Sequence, residues 1–162
     1  MFSQSAPGTK DGREIPYAVA ELLPQSGAMV LLDRVIEIGE GHIITELRVR
    51  DDGLFTESGA VPAWVGLEYM AQTVAAYAGY RRRLEGQAVD LGFLLGTRYY
   101  RCSTSAFPVG ARLEVRAERN LEGSNGLSVF DCGIAAGAIS AAARLNVFLP
   151  SDSRAYLAEK GL

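Results

Sequence analysis

Histidine, tryptophan and cysteine are scarce in this 162-residue chain, which holds one, one and two of them. The cysteines, Cys102 and Cys132, are far apart and make neither a metal-binding nor a redox spacing, so no metal site is expected. Both fall in strand-like runs, which suits buried free thiols in a reducing, cytoplasmic setting. An excess of one charge is also lacking. The formal net charge of -3 excludes the strongly basic surface that nucleic-acid binding needs. The opening MFSQSAPGTKDGRE has no apolar core for a signal peptide, and positions 1–14 are expected to form a mobile tail. Repeats and low-complexity segments are missing too. The length fits one domain with a core that needs no disulfide staples.

What the chain does have is one long apolar stretch, VPAWVGLEYMAQTVAAYAGY, from Val61 to Tyr80. The pattern predicts a helix that is apolar on every side, and such helices are buried. Glu68 and Gln72 interrupt it four positions apart, so they share one face. A carboxylate carried into such a place must be paired, protonated or used. Glu68 is therefore the first candidate for chemistry, and Gln72 the side chain that orients it. The stretch is long enough for a bilayer, which takes about 20 apolar residues. A charge near the bilayer centre costs about 2.5 kcal/mol or more, so a membrane span is rejected. The small residues Ala71, Ala75, Ala76, Ala78 and Gly79 suit close approach of a sheet instead.

The rest of the sequence supplies that sheet. Tyr17 to Leu23 predicts a short helix stopped by Pro24. Leu31 to Ile38 and His42 to Arg50 predict two strands joined by a hairpin turn at Gly39-Glu40-Gly41. Asp51 to Gly59 is a polar loop. Pro62 suits the first turn of the long helix, Arg81, Arg82 and Arg83 suit its C-terminal dipole, and Gly86 marks its exit. Four strand-like runs follow: Asp90 to Thr104, Ala111 to Leu121, Leu127 to Ala136 and Ala138 to Leu149, the last two joined at Ala136-Gly137. Two strands, one long helix and four strands fit an α+β architecture, an antiparallel sheet wrapped around one central helix. The domain is expected to span 15–150, with 151–162 as a C-terminal extension.

At this point the motifs resemble those of the hotdog-fold beta-hydroxyacyl-acyl-carrier-protein dehydratases of the FabA/FabZ type, and most of all their divergent aryl-polyene-cluster branch. LLPQSGAMVLLDRVIEI is similar to the family's LPHRYPFLLVDRVLEI. Asp33-Arg34-Val35 falls in register, and Gln25 stands where the family has a histidine. GLFTESGAVPAWVGLEYMAQ, Gly53 to Gln72, is similar without gaps to the family's GHFPGxPVMPGVLxxEAMAQ. GFLLGTRYYRCSTSAFPVGARLEV resembles the strand that carries the family's F-x-x-P-V-x-P-G-D. The likeness runs from about Leu23 to Pro150.

The resemblance implies removal of water from a beta-hydroxyacyl thioester, borne by acyl carrier protein or coenzyme A, without any cofactor. A histidine takes the proton alpha to the thioester carbonyl. An acid on the central helix protonates the departing hydroxyl, and backbone N–H groups at the helix N-terminus polarise the thioester oxygen. The acid maps onto Glu68 and its neighbouring glutamine onto Gln72. The N–H groups map onto Ala63 and Trp64. The catalytic histidine maps onto Leu54, which moves no proton, and the lone His42 sits at a strand start the family leaves variable. Asp51, Asp52 and Glu57 lie in the loop that carries Leu54, although most loop acids are merely solvated. Three readings stay open: a dehydratase with a substitute base, a partner subunit of a heteromeric dehydratase, and a hotdog thioesterase in which a carboxylate activates water. The resemblance also implies a dimer, either of two identical chains or with a second hotdog dehydratase, since a lone unit leaves a sheet edge exposed.

Overall fold

The computed structural model describes residues 9–10, 13–52 and 54–162. Among them, the elements run β1 (Thr9–Lys10), β2 (Arg13–Glu14), β3 (Arg34–Gly39), β4 (His42–Arg48), β5 (Ala60–Pro62), α1 (Gly66–Leu84), β6 (Phe93–Cys102), β7 (Ala106–Pro108), β8 (Arg112–Glu122), β9 (Leu127–Ala136), β10 (Ile139–Phe148) and α2 (Ser153–Glu159). Single 3-10 turns cover Val19–Leu22, Gly27–Met29 and Ala63–Val65.

The main sheet has the order β2-β1-β3-β4-β8-β9-β10-β6. Its six long strands, β3 to β6 in that order, are all antiparallel neighbours. Period-two alternation explains which face is buried. β8 turns Leu113, Val115 and Ala117 inward, β9 turns Phe130, Cys132 and Ile134, and β10 turns Ala141, Ala143, Leu145 and Val147. The apolar face so formed packs on α1, which buries Tyr69, Met70, Val74, Ala76, Tyr77 and Tyr80. This is the hotdog arrangement expected from the sequence.

Several boundaries differ from the expectation, and at Val61 a tertiary contact outweighs the local pattern. The Val61–Tyr80 stretch is not helical from its start. Ala60–Pro62 is drawn into a two-stranded ribbon with β7, with Val61 opposite Phe107, so Pro62 precedes the helix instead of forming its first turn. Nor is the stretch buried throughout: Trp64, in the 3-10 turn before the helix, is 63% exposed. Tyr17 to Leu23 shortens to the 3-10 turn Val19–Leu22, and the Leu31 strand begins only at Arg34. Within the expected tail, β1 lies parallel to β3, with Thr9 opposite Glu37, while 1–8 and 11–12 lie outside the described residues. The C-terminal extension contains α2. Asp152 caps it by accepting the Ala155 N–H at 3.0 Å. Tyr156 packs its ring 4.9 Å from Phe148 and 5.4 Å from Phe93, and Asp90 accepts the Ser153 N–H at 3.1 Å.

Close approach of α1 to its surroundings rests on glycine. A Cβ on Gly79 would sit 2.9 Å from the backbone carbonyl carbon of Leu22. The Asp33-Arg34-Val35 motif is structural here. Asp33 accepts the Arg48 N–H at 2.6 Å, Arg34 pairs with Glu46 at 3.2 Å, and Val35 enters the core. Together they pin β3 to β4.

Candidate active site

Gln72 is fully buried, yet every polar group of its amide is used. Its Oε1 accepts the Leu31 N–H at 3.0 Å. Its Nε2 donates to Met29 O at 2.7 Å and to Glu68 Oε1 at 3.0 Å. A backbone donor on one side and a backbone acceptor on the other fix which way the amide points. Gln72 can therefore only donate to Glu68, and it holds that carboxyl from the face of α1 turned toward Met29 and Leu31. Glu68 itself is half-buried. The single chain does not seal it from water.

The turn before α1 carries the two candidate thioester N–H groups. That of Ala63 donates to Ser105 O at 3.0 Å, which ties the turn to the β6–β7 connection. Trp64 projects outward and meets Phe55 edge to face, with ring centroids 6.1 Å apart. That contact sets the loop bearing Leu54 against the helix N-terminus. Leu54 is 41% exposed, and its N–H donates to Asp52 Oδ1 at 3.1 Å. The other oxygen of Asp52 lies 3.6 Å from Arg50 Nε. Asp52, one of the acids offered as a substitute base, is thus occupied on both oxygens. His42 pairs with Glu37 at 2.6 Å, at the start of β4.

Two hydroxyls near the site have no counterpart among the positions to which the resemblance assigns a role. Tyr69 follows Glu68 on α1, packs on Phe107, and lines a small cavity with Arg50, Asp52 and Phe55. Burial pushes its hydroxyl up to about 12; Arg50 opposes this and Asp52 adds to it. Tyr100, on β6, donates its hydroxyl to Ala63 O. Its proton is held above the ordinary tyrosine range, by burial first and then by Cys102 and Tyr69. No sequence signal links Tyr100 to a residue 37 positions earlier.

Two larger hollows, of about 680 and 760 Å³, lie elsewhere. One sits between the N-terminal segment and β3, the other between α2 and the end of α1, and neither is lined by Glu68. The arginines of the last turn of α1 are used internally. Arg81 pairs with Glu122 at 2.8 Å, Arg82 bonds Ala88 O at 2.6 Å, and Arg83 bonds Glu21 O at 3.0 Å. No helix among the described residues is long and apolar enough to cross a membrane.

Residues 17–158 match the ApeP-like family model, described as ApeP dehydratase. Among solved structures, the chain is similar to one of the dehydratase heterocomplex ApeI:P from Xenorhabdus doucetiae. The two are 30% identical over 85% of this chain and 93% of the other, with a TM-score of 0.77. More distant likeness is to a hypothetical thioesterase from Streptococcus pneumoniae TIGR4, solved with coenzyme A. That pair is 14% identical over 71% and 83% of the two chains, with a TM-score of 0.56. The E. coli PaaI protein of the phenylacetic acid degradation operon is also 14% identical, over 71% and 81%, with a TM-score of 0.55. These last two share the fold alone. No curated protein matches the sequence.

Proposed function

The chain belongs to the ApeP-like dehydratase family, and on that premise we propose that it supplies the acid half of a 3-hydroxyacyl-thioester dehydratase. A second, histidine-bearing hotdog subunit supplies the base. The substrate is a beta-hydroxyacyl thioester of aryl-polyene-type biosynthesis, carried on acyl carrier protein or coenzyme A.

The observation that carries this reading is the Gln72-held carboxyl of Glu68 in a chain whose histidine position is Leu54. Elimination needs a base for the alpha proton and an acid for the leaving hydroxyl. The partner's imidazole takes the alpha proton, and the electron pair moves into the thioester enolate. It then forms the Cα–Cβ double bond as the Cβ–O bond breaks. Glu68, entering as the carboxylic acid, gives its proton to the departing oxygen, which leaves as water. The Trp64 N–H, in the turn that leads into α1, meets the enolate oxygen, where the helix dipole favours negative charge, while the Ala63 N–H is held by Ser105 O.

Three further features support a two-subunit site. Glu68 is half-exposed in the single chain, so a covering surface is needed to exclude water. The sheet ends on β6, which exposes Leu94, Leu95 and Tyr99 on an edge strand, and such edges are normally covered or charged. The similar Xenorhabdus structure is itself a heterocomplex.

The test is turnover of a carrier-bound beta-hydroxyacyl thioester, followed by mass for loss of one water. The chain is assayed alone, with a histidine-bearing hotdog dehydratase, and as Glu68→Gln. Turnover in the mixture above the partner's own rate, lost in Glu68→Gln, is expected. Turnover by the chain alone would place a base within it, and a mixture no faster than the partner would remove the proposal.

A further inference from the structure

We propose that Tyr100 is a positioning residue for the dehydratase site, aiming the Trp64 N–H by holding the carbonyl of Ala63. This rests on the reading given under Proposed function, and it adds a residue that no motif marks.

The argument begins with the peptide unit. Ala63 C=O and Trp64 N–H belong to one planar trans peptide, so they point in opposite directions. Whatever fixes the carbonyl aims the N–H. Ala63 O receives two donors: the Gly66 N–H from within the turn and the Tyr100 hydroxyl from the sheet. On the other side of the same residue, the Ala63 N–H is fixed by Ser105 O at 3.0 Å. Both outside contacts come from β6 and the connection to β7, so the sheet, and not the turn's own hydrogen bond, sets the orientation. With the carbonyl turned toward Tyr100, the Trp64 N–H points away from it. Trp64 is the exposed residue of that turn, and the Ala63 N–H is already taken. This makes the Trp64 N–H the donor left to meet a thioester oxygen beside Glu68.

The packing around the bond is built for it. Gly66 has no side chain where the Tyr100 hydroxyl lies, and a Cβ there would collide with that oxygen and press on Phe107 and Ile134 at 3.2 Å each. Tyr100 is partly buried against the core. The raised proton affinity of its hydroxyl keeps it a donor throughout the physiological range. Ala143 of β10 pairs with Tyr100, the last regular pair before a break in the β6–β10 register.

The experiment compares the full chain, Tyr100→Phe and Gly66→Ala, each with the histidine-bearing dehydratase. It measures kcat and KM together with hydrogen exchange at the Ala63 amide, which Ser105 O protects. Tyr100→Phe keeps the ring and removes only the oxygen. The expected result is a kcat lower by about tenfold or more, the scale of a misplaced catalytic group, with KM unchanged within about twofold and faster exchange at Ala63. Gly66→Ala should lower kcat similarly. The double variant should lose less than the product of the two single losses, because both break one contact. Unchanged kcat with only a lower melting temperature would overturn the proposal, since that is what a purely structural tyrosine does. Unchanged exchange at Ala63 would overturn it as well. If the unaltered chain adds nothing to the partner's rate, the dehydratase reading itself fails and the assignment of Tyr100 falls with it, an outcome the wild-type control alone reveals.

Discussion

Gln72 Nε2 lies 3.0 Å from Glu68 Oε1, one turn along α1, and the same nitrogen holds Met29 O at 2.7 Å. The amide thus joins the candidate acid to the backbone of the 3-10 turn at Gly27–Met29 and its exit. Replacing it with Gln72→Leu keeps the volume and strands the Leu31 N–H and the Met29 carbonyl. Each buried unmatched group costs about 1–3 kcal/mol. Urea denaturation should show a loss of about 2 kcal/mol or more. A loss under about 0.5 kcal/mol would mean that the bonds are replaced by water.

Leu54→His tests the half-site reading by restoring the missing base. Leu54 is 41% exposed, so the change should leave stability within about 0.5 kcal/mol. The variant alone should then turn over a beta-hydroxyacyl thioester, and the added Glu68→Gln should abolish that turnover. Inactivity of the variant as a demonstrated dimer would show that more than the histidine separates this chain from a complete dehydratase.

Gly79→Ala reverses the usual sign of a helix substitution. At an open site the change gains about 0.5–1 kcal/mol. Here the new Cβ would press into the backbone of Leu22, with its carbonyl carbon 2.9 Å away, and backbone cannot swing aside as a long side chain can. Overpacking of this kind costs about 1–3 kcal/mol. Thermal melts of the two proteins decide the matter, and a higher melting temperature for Gly79→Ala would show that the Val19–Leu22 turn yields freely.

The central helix, the six long strands and the Glu68–Gln72 pair were all legible because each is written in a local period. An i, i+4 polar pair within an apolar stretch, or Leu113, Val115 and Ala117 alternating in β8, needs no distant partner to be recognised. The departures lie where distant segments decide. Val61 looks helical until Phe107 pairs with it. Tyr100 is one aromatic of a strand until Ala63 accepts its hydroxyl. The second helix had a usable signal: Asp152 two residues after Pro150, followed by helix-compatible SRAYLAE. What orders so short a helix is Tyr156 against Phe93 and Phe148, a contact no window of sequence contains.

Alkaline pH should weaken the fold in a way that can be assigned to single groups. Burial, with Asp131 adding to it, raises the Cys132 thiol from 9.0 to about 12, and burial raises the Tyr69 hydroxyl from 10.0 to about 12. In the unfolded chain these protons leave near the ordinary values, while the folded chain keeps them. Between the two values the native state binds more protons, so stability falls as pH rises. The contribution of Cys132 is complete below about pH 9 and is lost toward about pH 12. Cys132→Ala removes that dependence but opens a small void under α1. Under reducing conditions, urea denaturation should find the variant less stable at about pH 8, with the gap to the parent narrowing by about pH 10.5. Tyr69→Phe should narrow the gap in the same direction, starting about one pH unit higher. Curves that stay parallel across this interval would mean that solvent reaches Cys132 in the folded state, and with it the inner face of β9.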